Sequence, residues 1–444
     1  MNRKTTLRTL SMLLVSAMLL PLVGCAGNPL PTEPDTPQPV TATAPTGAVA
    51  EQLAAAVYPT QPLEELPALP AQTGAFWQTS MTQFLTGADR ENRVFSPLNV
   101  YLALAMLAET TDGDSRGQLL SLLGADSLET LRTQAQTLWK ACYVDDGTAK
   151  ILPACSLWAR NDLPYHAQTL QNLAEFYYAD AFSGRMGSPE LNAALQSWIN
   201  AHTGGLLADQ VGGMEMNVDT VLSLVTTLYY KAPWQKQFLT EATVTDNFTT
   251  PDGSLECEFL CESEAKPYYV GRQFTAVGKP LAGGSTMVFL LPNEGVAPEQ
   301  LLSDPQALAF LSGELDAVDS SRCLVHLRLP KFDAASQLSL IDGLKALGVT
   351  DVFDETRADF SPLTDALQEL FVSQADHGAR VMVDEQGCEA AAYTMISIET
   401  KSARPVRNEV EFTLDRPFLF GVVTDDGLPL FTGVVNRPGS GNGA

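Results

Sequence analysis

Residues 384–402, DEQGCEAAAYTMISIETKS, offer two kinds of chemistry: a peptide bond open to a protease, and side chains patterned for a sheet. The bond is Lys401–Ser402, a basic residue before a small one, and it suits a trypsin-like serine protease. Arg404 is a poorer site, because Pro405 follows it and lacks an amide hydrogen. Arg407–Asn408 lies further along the chain. In a strand, alternate residues point to opposite faces. One face here carries Cys388, Ala390, Ala392, Thr394, Ile396 and Ile398, all small or apolar. The other carries Glu389, Ala391, Tyr393, Met395, Ser397 and Glu399. This is the pattern of a strand with one buried side. From Cys388 to Lys401 is fourteen residues, about 45 Å of extended chain.

Catalytic groups are harder to find. The sequence holds no GxSxG elbow, HExxH pair or phosphate-binding loop. Its four histidines, His166, His202, His326 and His377, fall in separate elements. His326 lies in an alternating run and is expected to face solvent, and His202 lies near a helix C-terminus, where a cationic ring is favoured. Asp112 and Asp114 form a loop pair without the further acids of a calcium loop. Cys257 and Cys261 sit four apart in a strand-like run, about 13 Å when extended, too far for a disulfide at roughly 7 Å or less. With Cys142, Cys155, Cys323 and Cys388 they read as small buried hydrophobes, a disulfide among the others staying open. No enzyme, metal or cofactor is expected.

The N-terminus carries targeting chemistry. Arg3, Lys4 and Arg8 precede an apolar run, Leu10 to Val23, too short for a membrane-spanning helix. It ends Leu22-Val23-Gly24-Cys25, which resembles a bacterial lipobox whose cysteine takes a lipid. Residues 1–24 are thus expected to be a signal peptide. Ten prolines in residues 28–70 suggest that 25–70 is an extended tether from a membrane to the body. Without residues 1–24 the chain has 24 basic against 52 acidic residues, a formal charge of −28. No basic cluster is present to recruit nucleic acid or another polyanion.

The body must position the 384–402 segment. Ser96-Pro97 caps a helix through LNVYLALAMLAETT, apolar nearly all round and so expected to be buried. Helices over 116–123 and 191–202 stop at Gly124 and Gly204-Gly205. Strands are expected over 221–230, over 325–332, and from His377 into the Gly387 region. Helices and strands intersperse without a βαβ rhythm, which indicates one α+β domain.

Several of these motifs together resemble the serpin family of protease inhibitors. Glu385-x-Gly387-x-Glu389-Ala390-Ala391-Ala392 is similar to the hinge of a serpin reactive loop. FSPLNVYLALAML from Phe95, the 221–234 run ending Lys-Ala-Pro-Trp, the 345–361 segment, and RPFLFGVVTDDGLPLFTGVVNRP from Arg416 are similar to other family segments. The resemblance covers 71–437, leaving 438–444 as a tail. It implies a serpin fold with a large central mixed sheet and an exposed reactive loop at about 385–408. Lys401–Ser402 becomes the reactive bond, with Glu385, Gly387, Cys388, Glu389, Ala390, Ala391, Ala392 and Thr394 as the hinge. Gly387 permits the backbone swing, and Glu385 and Glu389 stay near the surface. Ser96, Thr226 and His377 match the polar shutter of the family, with Thr226 where Asn is usual. The implied function is trapping of a trypsin-like protease by a monomer, covalently, with the cut loop entering the main sheet. A non-inhibitory serpin that is merely cut, or that acts as a surface binding protein, is the alternative.

Overall fold

Ser96 starts the central helix as its position predicts. Its hydroxyl accepts from the Asn99 N–H, and Pro97 opens a helix that runs to Thr110 with nearly every side chain buried. The computed structural model describes residues 50–59, 68–88, 90–366, 370–388 and 408–439. Two further helices, Gly113–Leu123 and Pro189–His202, end where glycines were expected to stop them, and Gly124 sits at φ 68°. That conformation is open to glycine at little cost.

Two large sheets pack around the central helix. The first runs in the order Glu51–Ala54, Ala179–Gly184, Lys150–Arg160, Leu222–Pro233, Gly387–Cys388, Asp376–Val383, Phe332–Ser339. It is mixed, since Lys150–Arg160 pairs in parallel with Ala179–Gly184 and antiparallel with Leu222–Pro233. The second runs Glu409–Thr413, Ser320–Pro330, Gly253–Val270, Phe274–Leu281, Ser285–Pro292, Phe418–Thr424, Pro429–Val435, Arg93–Phe95. Phe418–Thr424 and Pro429–Val435 are buried at every residue, so both of their faces are covered. The architecture is α+β, as expected.

Three details depart from the sequence reading. The 325–332 run is not one strand: Ser320–Pro330 belongs to the second sheet and Phe332–Ser339 to the first, with Lys331 at the crossing. His202 is not held as a cation. Its ring lies 4.0 Å from that of Trp198, and burial lowers its pKa. Residues 50–59 are not free tether. Glu51–Ala54 forms the edge strand of the first sheet, the Val57 N–H donates to the Ala174 carbonyl at 3.0 Å, and Tyr58 packs its ring on Trp139 and Tyr178. A four-residue strand in a proline-rich stretch has too few alternations to register as periodic.

Candidate functional site: the hinge and the slot beneath it

The Asp376–Val383 strand turns back on itself through Asp384, Glu385 and Gln386. The Asp384 carboxylate accepts from the amides of Gln386 (2.8 Å) and Gly387 (3.1 Å), and its own amide donates to the Gly387 carbonyl. This is an Asx-type turn, which lets a short side chain replace a backbone partner. The turn delivers Gly387 and Cys388 between two strands. Cys388 pairs with Val383 on one side and Ala232 on the other, and Gly387 pairs with Pro233. Cys388 is 2% exposed, as the alternation assigned it.

Below this two-residue wedge the pairing stops. Among the described residues, no ladder joins Leu222–Lys231 to Asp376–Met382. Each is paired on its outer side only, to Lys150–Arg160 and to Phe332–Ser339 respectively. The facing edges therefore frame a slot, a gap in the pairing of the sheet. Backbone N–H and C=O groups along such edges are donors and acceptors, respectively, for an added strand. At one point the slot is bridged: an Arg380 guanidinium N–H donates to the Leu206 carbonyl (3.2 Å), just after the Pro189–His202 helix.

A second set of contacts holds the wedge from the side. The Trp234 amide donates to the Gln386 carbonyl (2.8 Å), its indole N–H to the Asp384 carbonyl (2.9 Å), and the Phe238 amide to the Glu385 carbonyl (3.0 Å). Glu385 is half-buried near the surface. Its side chain is 14% exposed, pairs with Lys331 at 2.7 Å and accepts from the Thr243 hydroxyl at 2.9 Å. Burial acts to raise its pKa, yet Lys331 and the other donors hold it below the usual carboxylate range. The structure gives Gly387 a steric reason to be glycine. A Cβ there would meet the Ala232 carbonyl oxygen at 2.3 Å and the Pro233 Cα at 2.6 Å, so close approach of two backbones requires glycine.

The three residues expected to form a shutter do not all meet. The Ser96 amide donates to Nε2 of His377 (3.0 Å), and the Ser96 hydroxyl donates to the Leu430 carbonyl (2.7 Å). Because Nε2 accepts, the neutral ring carries its proton on Nδ1. His377 is 4% exposed, and burial pushes its pKa from 6.5 down to about 4. Thr226 reaches this pair only through Asn99: its hydroxyl donates to the Asn99 carbonyl (3.1 Å), and the Asn99 amide group donates to the Thr226 carbonyl (3.2 Å). Asn99 was missed in the sequence, where its place in the first helical turn was the only signal. Lys331, Asp384 and Trp234 were also not assigned to the site. Lys331 is distant from the turn in sequence and joins it through Glu385, whereas Asp384 is part of the turn itself.

Glu389, Ala390, Ala391, Ala392, Thr394, Lys401 and Ser402 lie outside the described residues, as does Cys25. Among the described residues there is no group of three or more His, Cys, Asp or Glu side chains that could hold a metal, and no helix is long and apolar enough to cross a membrane. Among the described residues no disulfide joins two cysteines.

Comparison with known proteins agrees with this geometry. The sequence model of the Serpin (serine protease inhibitor) family matches residues 73–438. Serpin-Z1C of Triticum aestivum is 31% identical over 376 residues, covering 78% of this chain and 90% of its own. The plasma serine protease inhibitor of Bos taurus is 28% identical, covering 79% and 86%. Among solved structures, the thermophilic serpin tengpin in its native state superposes with a TM-score of 0.75 at 26% identity, over 88% of this chain and all of its own. A family match across the whole body, together with relatives aligned over most of their length, places this chain in the serpin family of serine protease inhibitors.

Proposed function

We propose that the chain is an inhibitory serpin that acts on trypsin-like serine proteases as a suicide substrate. The protease serine attacks the Lys401 carbonyl carbon, the Ser402 amine leaves with a proton, and Lys401 stays esterified to the enzyme. The freed segment, Cys388 to Lys401, then slides into the slot between Leu222–Pro233 and Asp376–Val383 and carries the protease with it. The wedge of Gly387–Cys388, below which no ladder joins the two flanking strands among the described residues, is the observation that carries this reading. The small and apolar inward positions, Ala390, Ala392, Thr394, Ile396 and Ile398, give the inserting strand no steric obstacle. Insertion fills ladder positions and buries apolar groups, so the uninserted form is a kinetically held state.

The same proposal places the molecule outside the cytoplasm as a monomer, held to a membrane by lipid on Cys25 after removal of residues 1–24. The linking segment then runs from Cys25 to about residue 49, since 50–59 dock on the body. Nucleic acid and cofactors have no part in it.

One gel tests the mechanism. Incubation with trypsin is expected to give a complex that survives denaturant at the summed mass of inhibitor and protease. Lys401→Ala is expected to abolish that band and the inhibition of trypsin. Cleavage without a complex supports the substrate-like alternative, and a complex retained in Lys401→Ala moves the reactive bond.

A further inference from the structure

The slot divides its sheet into two halves, and the Pro189–His202 helix is anchored on one of them. Leu191, Leu195, Trp198 and Ile199 of the helix share an apolar cluster with Trp158 of Lys150–Arg160 and Phe182 of Ala179–Gly184. Val225 of Leu222–Pro233 packs on the same cluster. Among the described residues, none of Asp376–Val383 or Phe332–Ser339 belongs to it. The turn after the helix stays with the near half, for a Cβ on Gly204 would meet the Tyr229 ring at 2.9 Å. Leu206 and Leu207 then lie over the slot, closing a small cavity walled by residues 226–229 on one side and 378–380 on the other.

Arg380 reaches this turn from the far half. His377, Ala379, Val381 and Val383 point into the core, so alternation puts Arg380 on the outer face, the side on which the turn lies. Its guanidinium forks onto Asp333 of Phe332–Ser339, Nε donating to Oδ1 at 2.9 Å and Nη2 to Oδ2 at 2.6 Å. The third nitrogen, Nη1, donates to the Leu206 carbonyl at 3.2 Å. A planar guanidinium can do both at once, because two N–H groups locked on a carboxylate fix where the third points. An entering strand disturbs this arrangement. It needs about 4.8 Å on either side, which sets the two flanking strands at roughly twice that spacing. Counted from the Cys388–Val383 pair, its third residue comes opposite Arg380, with its side chain on the face that the Leu206 bond crosses. The bond must part for the strand to seat, since the helix moves with one half and Asp333 holds the guanidinium on the other.

We infer that Arg380 is a strap across the slot: its bond to Leu206 ties the far half of the sheet to the helix on the near half, and its release sets how fast a strand enters. Arg380 is thus a positioning residue that touches neither the protease nor the reactive bond. This rests on the loop insertion proposed above and adds the contact that slows it. A slower entry leaves the bound protease more time to finish hydrolysis, so the strap also shifts the balance between trapping and plain cleavage.

The test follows uptake of a fluorescein-labelled peptide of sequence 388–400 by the intact, uncut chain, read by anisotropy with peptide in excess. Arg380→Lys keeps a charge for Asp333 but replaces the fork by a single nitrogen that cannot serve Asp333 and Leu206 together. Asp333→Asn removes the ion pair and leaves an amide oxygen that still seats the guanidinium. Arg380→Lys is expected to take up the peptide about three- to tenfold faster than the parent, and Asp333→Asn to stay within about twofold of it. Arg380→Lys at the parent's rate overturns the strap. Asp333→Asn as fast as Arg380→Lys overturns it too, because the rate then follows the ion pair. A parent that takes up no peptide overturns loop insertion itself, and the strap with it. If Arg380→Lys fails to fold, the double variant Arg380→Met with Asp333→Asn, uncharged at both positions, is measured against Asp333→Asn alone, with the same three- to tenfold gain expected and no gain overturning the inference.

Discussion

Two single residues carry separate predictions, Gly387 in the wedge and His377 against Ser96. Gly387 sits where a methyl group would overlap the neighbouring strand's backbone, so Gly387→Ala is expected to push the wedge out of the sheet. Overpacking of this kind costs about 1–3 kcal/mol, and the displaced turn releases the carbonyls of Asp384 and Gln386 that Trp234 holds. The expected readout is a lower melting temperature together with a shift in tryptophan emission. Unchanged emission means that the wedge tolerates the methyl in place. His377 acts through protons. The unfolded chain takes up a proton near pH 6.5, whereas the folded ring resists it until about 4. Stability from the neutral ring is therefore complete above about pH 6.5 and is lost as pH falls toward 4, at most about 3 kcal/mol in all. Urea unfolding of the parent and of His377→Gln at pH 7, 5.5 and 4.5 isolates this, since the carboxylates titrate in both. The stability gap between the two is expected to shrink as the pH drops. A constant gap means that the ring has the same pKa folded and unfolded, so that burial does not resist its protonation. Cys388 and its neighbour Gly387 show what sequence reading reached. The parity argument put Cys388 inside correctly, because alternation is a local property of the backbone. It could not see that Gly387 answers a steric contact with Ala232, which is distant in sequence.

At the scale of elements, caps and breakers were legible and pairing partners were not. Ser96-Pro97, Gly124 and Gly204-Gly205 marked helix ends because the chemistry that starts or stops a helix lies within a turn of it. The split of 320–339 between two sheets was hidden, since a continuous alternating run looks the same whether or not it changes sheets at Lys331. The shutter illustrates the same limit, for Asn99 joins Thr226 to the central helix through contacts 127 residues apart. The most consequential unread element is Glu51–Ala54 with its following turn. It caps the outer edge of the very sheet that holds the slot, and Tyr58 inserts beside Trp139 and Tyr178. Tyr58 is half-buried, so Tyr58→Ala is expected to cost about 1–3 kcal/mol, below the roughly 3–5 kcal/mol of a fully buried aromatic. Thermal unfolding measures it. A variant that melts with the parent shows that residues 50–59 lie on the body without stabilising it.

For the whole molecule, the slot makes a demand that none of its parts makes alone. Among the described residues, Leu222–Pro233 and Asp376–Val383 each have one laddered edge, and the other faces its counterpart across the gap, laddered at Gly387–Cys388 and crossed by the Arg380–Leu206 hydrogen bond. A strand entering the gap gains ladder bonds on both sides, each worth about 0.5–1.5 kcal/mol net, and the two isoleucines at 396 and 398 add about 1.5–3 kcal/mol apiece if fully buried. The sum exceeds the strain of opening the sheet only if most of the fourteen residues enter, so partial insertion has little reward. Uncut, the segment is tied at both ends, to Cys388 in one sheet and to Glu409–Thr413 in the other, and its far end is not free to travel. Cutting Lys401–Ser402 removes that tie without altering a single packed contact in the body. The nicked protein is therefore expected to melt at least about 10 °C above the intact one, with circular dichroism following the transition. It is also expected to resist a synthetic peptide of sequence 388–400, which the intact slot should accept. A nicked molecule that melts with the intact one, and still binds the peptide, has an unfilled slot, and loop insertion is then not how this serpin works.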